Sequence, residues 1–164
     1  MTYIWKGLSS KTVANYFLEM GQKEGILIDP LKLQKLVYLA HGWSLLFLNR
    51  PLIKEKIEAW RYGPVVPELY QEFKKFGASP ITEFARPVPL ESTNGIDPQT
   101  KSLLYAVWQK YGSLSPIQLS VLTHEPGSAW DLAQRRGVFL PWRGPVIPNE
   151  LIADEFARMQ QQAR

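Results

Sequence analysis

The side chains that could do chemistry are few. The 164-residue chain has two histidines, His41 and His124, and no cysteine. Without cysteine it can form no disulfide, no thiolate zinc site and no cysteine nucleophile. Ser128 and Asp131 follow His124 closely enough for a Ser-His-Asp set to be drawn. Ser128 also fits the capping position of a helix, with Asp131 in the first turn, and we prefer this structural interpretation.

Other signatures of catalysis are missing from the sequence. It contains no GxxxxGK[ST] loop, no GxGxxG, no HExxH and no GxSxG. His41 lies in an apolar run, where a neutral imidazole bonded to an acceptor is the usual outcome. We interpret the adjacent carboxylates of Asp154 and Glu155 as a solvated helix face. The expectation is therefore a protein that is not an enzyme, with no catalytic residues, no metal and no cofactor.

The charge is mildly basic and unevenly spread. The net charge is +4 and the pI about 9.3, and residues 1–80 carry 11 Lys and Arg against 7 Asp and Glu. Such an excess suits an acidic partner or nucleic acid. Because no dense basic run, zinc finger or RNP-like aromatic pattern accompanies it, we interpret the excess as solvated helix faces and do not favour nucleic-acid binding.

Helices are predicted over most of the chain. Three of them begin with a capping residue followed by proline, at Asp29-Pro30, Asp97-Pro98 and Ser115-Pro116. The spacing of apolar residues predicts the other helices. In the first helix, Ser9 or Ser10 is expected to be the cap and Gly21 the end. The predicted helices are 11–20, 30–49, 67–76, 98–111, 116–124, 128–136 and 148–161.

The helix over 30–49 is apolar nearly all round, which places it at the centre of the fold. Its most apolar stretch has 13 residues, too few for the ~20 that a membrane helix needs. Residues 57–62 alternate like a strand that stops at Gly63-Pro64, and a short strand at 87–90 could pair with it. The predicted fold class is mainly α (α+β): a single-domain helical bundle (1–164) around a central apolar helix, with a small β-hairpin or short antiparallel sheet. No secretory signal is visible, so we expect the cytoplasm.

The most distinctive segment runs from residue 58 to residue 70. A Trp and a Tyr are separated by an Arg, and Gly and Pro residues that restrict the chain follow. Such a rigid surface loses little entropy on binding, and Trp, Tyr and Arg dominate interface hot spots. The alternative is that Trp60 and Tyr62 simply cover the central helix. The residues predicted to bind a partner are Trp60, Arg61, Tyr62, Pro64, Val66, Tyr70 and Lys74.

Three sequence blocks together resemble a known family. They are Leu33-Gln-Lys-Leu-Val-Tyr-Leu-Ala40 with Gly42-Trp43, then Glu58-Ala-Trp-Arg-Tyr-Gly-Pro-Val-Val-Pro67 with Tyr70, and finally Thr123-His124 with Trp130. The sequence is similar to the Panacea domain of bacterial and phage-associated antitoxins, the SocA-like and GepA-like proteins, over about residues 10–160. It departs from the pattern at Ala129, where a Pro commonly precedes the Trp. The short stretch before the first helix resembles the standalone form of the family.

The resemblance implies a type II antitoxin that binds and neutralises a cognate toxin protein. A second implied role is that of a proteolytic adaptor, which hands the toxin to an ATP-dependent protease such as ClpXP. Neither role requires catalytic residues. Two less favoured alternatives are a phage-associated DNA-binding regulator and a small hydrolase centred on His124. Whether the protein is a monomer or a homodimer stays open at this stage.

Overall fold

Helix α2 (Pro30–Phe47) forms the centre of the fold, as predicted. The structure is a computed structural model and describes residues 5–86, 93–137 and 143–163. Asp29 caps α2 by accepting a hydrogen bond from the backbone N–H of Lys32 at 2.8 Å, and Pro30 occupies the first turn. Every residue from position 32 to position 44 is buried. Among the described residues, five other helices and one strand make extensive contacts with it.

Six further helices are found among the described residues. They are α1 (Ser10–Glu24), α3 (Pro67–Phe73), α4 (Pro98–Tyr111), α5 (Pro116–Thr123), α6 (Ala129–Arg136) and α7 (Asn149–Gln162). Short 3₁₀ turns lie at Lys74–Phe76 and Thr93–Gly95. The prediction of a mainly α fold with a small antiparallel sheet is confirmed. In the described ranges, none of the helices is long and apolar enough to span a membrane.

The cap residues predicted from the sequence form the expected hydrogen bonds. Ser9 caps α1, and Asp97 accepts from the backbone N–H of Thr100 at 3.1 Å. Ser115 and Gln118 form a reciprocal capping box, with N···O distances of 3.1 and 2.9 Å. These bonds satisfy backbone N–H groups that the first turn of a helix leaves unpaired.

The predicted end of α1 at Gly21 is wrong, because the helix continues to Glu24. Gly25, with φ of 68°, ends it in the left-handed conformation. Gly21 serves a different purpose within the helix. Its backbone oxygen accepts from the N–H of Ile26 at 2.9 Å, and a Cβ on Gly21 would lie 2.7 Å from the oxygen of Ile26. A glycine is needed there for this close approach. Helix α3 is also shorter than predicted and ends in the 3₁₀ turn.

The small sheet consists of β1 (Glu58–Trp60) and β2 (Gly63–Val65), which pair antiparallel. Arg61 and Tyr62 form the two-residue turn, so the predicted strand over 57–62 is too long. Gly63 and Pro64 lie in β2 rather than ending the strand. Gly63 follows the turn with φ of 114°, a conformation that side-chain-bearing residues rarely adopt.

The other edge of β1 pairs with the chain before α7. The N–H of Ala59 donates to the oxygen of Pro145 at 2.8 Å, and the N–H of Ile147 donates to the oxygen of Ile57 at 2.8 Å. The strand predicted at 87–90 falls outside the described residues. Strand β1 is therefore held on both edges, which fixes the turn that follows it.

Candidate partner-binding surface

The turn of the hairpin and one face of α3 form an exposed aromatic and cationic surface. Tyr62 is 65% exposed and Tyr70 is 44% exposed, and Arg61 and Lys74 are exposed as well. The guanidinium of Arg61 lies 5.5 Å from the ring centre of Tyr62. We call Trp60, Arg61, Tyr62, Tyr70 and Lys74 the hairpin surface.

Trp60 forms the partly buried base of the hairpin surface. Its ring packs edge-on against the ring of Tyr70, with centroids 4.9 Å apart. Its backbone oxygen accepts hydrogen bonds from the indole N–H of Trp130 at 2.6 Å and from the side-chain amide of Gln134 at 3.1 Å. Its own indole N–H is buried and has no acceptor among the described residues. Trp60 is therefore largely covered, whereas Tyr62 faces solvent.

Pro64 and Val66, which belong to the same predicted set, are buried. Val66 is only 1% exposed, and Pro64 pairs with Ala59 across the hairpin. Neither side chain offers the area that a partner could contact. They lie beneath the hairpin surface and hold its shape.

Two buried polar residues of α2 bond to the backbone that carries this surface, a role that was not predicted from the sequence. The ammonium of Lys35 donates to the backbone oxygen of Pro64 at 2.8 Å, and the side chain of Gln34 bonds to the backbone of Val66. Burial lowers the pKa of Lys35 to about 7. The available signal was the presence of polar side chains inside a helix that is otherwise apolar.

Strand β1 is also anchored by an ion pair. Arg143 contacts both carboxylate oxygens of Glu58, at 3.3 and 3.1 Å. The Glu58 side chain is 5% exposed and that of Arg143 is 56% exposed. A nearly buried carboxylate needs such a paired cation, so this contact belongs to the fold of the hairpin.

The Ser-His-Asp set does not form a relay. Ser128 caps α6 by accepting from the backbone N–H of Asp131 at 3.2 Å, as predicted. The Asp131 carboxylate accepts from the N–H of Gly127 and pairs with Arg135 at 3.0 Å. His124 instead contacts Ser120 through Nδ1. These contacts occupy the three groups separately, so the geometry does not provide an activated serine.

His41 has the predicted buried and neutral environment. Its Nδ1 accepts from the backbone N–H of Ile53 at 3.3 Å, which assigns the proton to Nε2, 2.9 Å from Oδ1 of Asn149. Burial lowers the pKa of His41, and the bond to Asn149 opposes this effect. His41 thus joins α2 to the start of α7 as a structural residue.

The interpretation of Asp154 and Glu155 as a solvated pair is wrong for Glu155, which is buried. Its carboxylate accepts from the hydroxyl of Tyr38 at 3.1 Å and from the N–H of Ala129 at 3.4 Å. Burial raises its pKa. It also borders a cavity of about 310 Å³ that Ser128 and Arg158 help to line. The carboxylate connects α2, α6 and α7, whereas Asp154 is exposed as predicted.

Within the described part of the chain, no group of three or more His, Asp and Glu side chains is placed to hold a metal ion. The hairpin surface instead offers exposed rings, two cations and a backbone held from several sides. Such an arrangement can bind another protein through ring contacts and charge pairing.

Comparison with known proteins places the chain in an antitoxin family. The family model described as "Antitoxin SocA-like, Panacea domain" matches residues 33–131. That range begins in the first turn of α2, includes the whole hairpin, α3, α4 and α5, and ends in the first turn of α6. The chain belongs to this family, which confirms the resemblance noted from its motifs.

A curated relative supports the same assignment over most of the chain. Antitoxin SocA of Caulobacter vibrioides (strain NA1000 / CB15N) is 31% identical over 160 residues, covering 92% of this chain and 84% of the relative. No solved structure matches the chain.

Proposed function

We propose that this protein is a type II antitoxin that neutralises a cognate toxin by direct binding through the hairpin surface. The observation that supports it is the exposed pair Arg61 and Tyr62 on a turn whose two flanking strands are held by neighbouring elements. A surface that is already ordered loses little conformational entropy when a partner binds. Both protein and toxin are proposed to act in the cytoplasm, without an enzymatic step or a cofactor.

The experiment pairs this chain with the open reading frame adjacent to its gene. The neighbouring product is expressed alone and together with this chain, and growth and complex formation are measured. The proposal expects arrested growth without this chain, normal growth with it, and a stoichiometric complex whose mass gives the copy number of each subunit. Absence of both toxicity and complex formation would overturn it.

Variants of the hairpin surface locate the binding site. Arg61→Glu/Tyr62→Ser should abolish rescue and the complex while leaving the melting temperature unchanged, because both side chains are exposed. Lys56→Glu/Tyr105→Ser is the matched control, since Lys56 is exposed and Tyr105 is 52% exposed elsewhere on the chain. Equal loss in both variants would show that the hairpin surface is not the binding site.

A host without ClpX separates simple occlusion from the adaptor role. Occlusion predicts full rescue and a normal toxin level in that host. An adaptor predicts that rescue disappears and that the toxin accumulates. A DNA-binding regulator would instead bind a duplex with an affinity that falls steeply as salt rises. The net charge of only +4 makes such binding the less favoured outcome.

A further inference from the structure

Helix α5 leaves an apolar ridge uncovered. Ile117 is 73% exposed and Val121 is 55% exposed, and they lie one turn apart. The helix sequence, PIQLSVLT, contains no charged residue. Contiguous exposed apolar side chains mark interaction surfaces, whereas scattered single ones are normal on any protein. We call these two residues the α5 ridge.

The α5 ridge is continuous with the hairpin surface. The hydroxyl of Ser120, which precedes Val121, donates to the backbone oxygen of Tyr62 at 3.0 Å. Directly after α5, the ring of His124 lies 5.2 Å from the ring of Trp130, whose indole N–H bonds to the backbone of Trp60. The turn of the hairpin and the exposed side of α5 are therefore neighbours on one face.

The two cations of this combined face, Arg61 and Lys74, are unpaired. Neither Arg61 nor Lys74 forms an ion pair with any residue in the described ranges. By contrast, Lys75 pairs with Glu83 at 2.8 Å, close to Lys74 in the chain. The α5 ridge adds no carboxylate. The face thus presents apolar side chains together with cations that lack a partner.

We infer that the hairpin surface and the α5 ridge form one docking site, which binds a protein element whose apolar side chains are flanked by carboxylates. This inference rests on the proposed function, since it assigns that element to the toxin. Burial of Ile117 and Val121 supplies binding free energy, because apolar area leaves water. Pairing of Arg61 and Lys74 with carboxylates supplies orientation and faster association.

Two other occupants fit this face less well. A second copy in a two-fold contact would bring Arg61 and Lys74 of both chains into one interface, where like charges repel. Nucleic acid would pair its phosphates with Arg61 and Lys74 but would leave the α5 ridge without an apolar partner. An acidic and apolar protein surface satisfies both parts of the site.

The first test selects displayed random peptides on the purified full chain. We expect the enriched peptides to combine apolar residues with Asp or Glu. Their affinity should fall at least about tenfold on Ile117→Ser/Val121→Ser and on Arg61→Glu. The matched controls are Leu27→Ser/Tyr105→Ser, at 75% and 52% exposed positions, and Lys56→Glu. Peptides that are basic, or that bind these variants as tightly as the unaltered chain, would overturn the inference.

The second test places the same variants in the growth assay with the neighbouring toxin. The α5-ridge variant should lose rescue, and the Leu27→Ser/Tyr105→Ser control should keep it. Rescue by the α5-ridge variant equal to that of the unaltered chain would refute the extended site and leave the proposed function standing. If the unaltered chain rescues nothing while the selected peptides still depend on Ile117 and Val121, the proposed function fails and the docking site stands without its assignment to a toxin.

Two further readouts examine the alternative occupants. Sedimentation of the purified chain should show a monomer. If it shows a dimer that Ile117→Ser/Val121→Ser dissociates, then the occupant of the site is a second copy of the chain and not a toxin. If the chain binds a DNA duplex, and Arg61→Glu abolishes this binding while the α5-ridge variant leaves it intact, then the occupant of the site is nucleic acid and not a toxin. Either result overturns the inference.

Discussion

The side-chain amide of Gln34 hydrogen-bonds to both backbone polar groups of Val66. Its Oε1 accepts from the N–H of Val66 at 2.8 Å, and its Nε2 donates to the oxygen of Val66 at 3.1 Å. Val66 is the last residue before α3, at the junction with β2. The side chain of Gln34 thus forms, at this junction, the two hydrogen bonds that a neighbouring strand would form in a larger sheet.

We predict that Gln34→Leu destabilises the protein by about 1–3 kcal/mol, because it leaves the buried N–H of Val66 unpaired. The oxygen of Val66 keeps its hydrogen bonds from the N–H groups of Leu69 and Tyr70. The free energy of unfolding is measured by urea denaturation. Gln22→Leu, at an exposed position of α1, serves as the control and should change stability by less than about 0.5 kcal/mol. A Gln34→Leu protein as stable as the unaltered chain would show that the amide contributes nothing to the junction.

Lys35 should make stability depend on pH. Its pKa is lowered by burial from 10.5 to about 7, so between these values the unfolded chain holds a proton that the folded chain has released. The free energy of unfolding therefore rises with pH across this window, by up to about 1.4 kcal/mol per unit. Lys35→Met should reduce this slope.

The measurement is urea denaturation at several pH values from 7 to 9, within the window that the pKa of Lys35 defines. Lys56→Met controls for the loss of an exposed lysine. Lys32, whose pKa is also lowered by burial, contributes a slope of the same sign to every variant and cancels in the comparison. Equal slopes for Lys35→Met and the unaltered chain would contradict the assignment.

Substitutions at the two aromatic residues of the hairpin should separate fold from binding. Trp60 packs on Tyr70 and is largely covered, so Trp60→Ala should lower stability by about 2–3 kcal/mol. Tyr62 is 65% exposed, so Tyr62→Ala should stay within about 0.5 kcal/mol. Trp60→Phe should be milder than Trp60→Ala, because a phenyl ring keeps much of the packing against Tyr70 and the lost indole N–H has no acceptor in the described structure.

Thermal melts of the three variants test this order. If Tyr62→Ala unfolds as readily as Trp60→Ala, then Tyr62 contributes to the core and the binding site lies elsewhere on the chain. If Trp60→Phe is as damaging as Trp60→Ala, the indole N–H has a function in the fold that its contacts do not reveal.

The sequence was informative wherever a local signal determined the structure. Asp29, Asp97 and Ser115 indicate helix starts, because capping depends only on the residues next to the cap and not on the rest of the fold. The continuous apolar surface of the second predicted helix likewise indicates burial on all sides. The family assignment depended on the order and separation of long motifs rather than on such physical signals.

What the sequence could not provide was burial decided by distant residues. Trp60 and Tyr62 are two positions apart, yet only the first is covered, because Tyr70 of α3 packs against its ring and Trp130 of α6 bonds to its backbone. Glu155 belongs to a pair that looks solvated, and its burial follows from Tyr38, more than a hundred residues earlier. In the same way, Gly21 resembles a helix end in the sequence, and only the close approach of Ile26 and Ile28 in the structure shows why a glycine stands there.

Gly63 should tolerate a side chain worse than Gly25, another glycine with positive φ. Its φ is 114°, and a Cβ there would lie 2.9 Å from Nζ of Lys35, which cannot retreat without losing its bond to Pro64. Gly25 has φ of 68°, ψ of 26° and open space around its Cβ position, so it isolates the backbone effect. Gly25→Ala should cost about 1–2 kcal/mol, the usual strain of the left-handed region. Gly63→Ala should cost clearly more by urea denaturation and, because the turn shifts, should also weaken toxin binding. Equal losses of stability in the two variants would show that the ammonium of Lys35 adapts freely, and that the turn is not held by it.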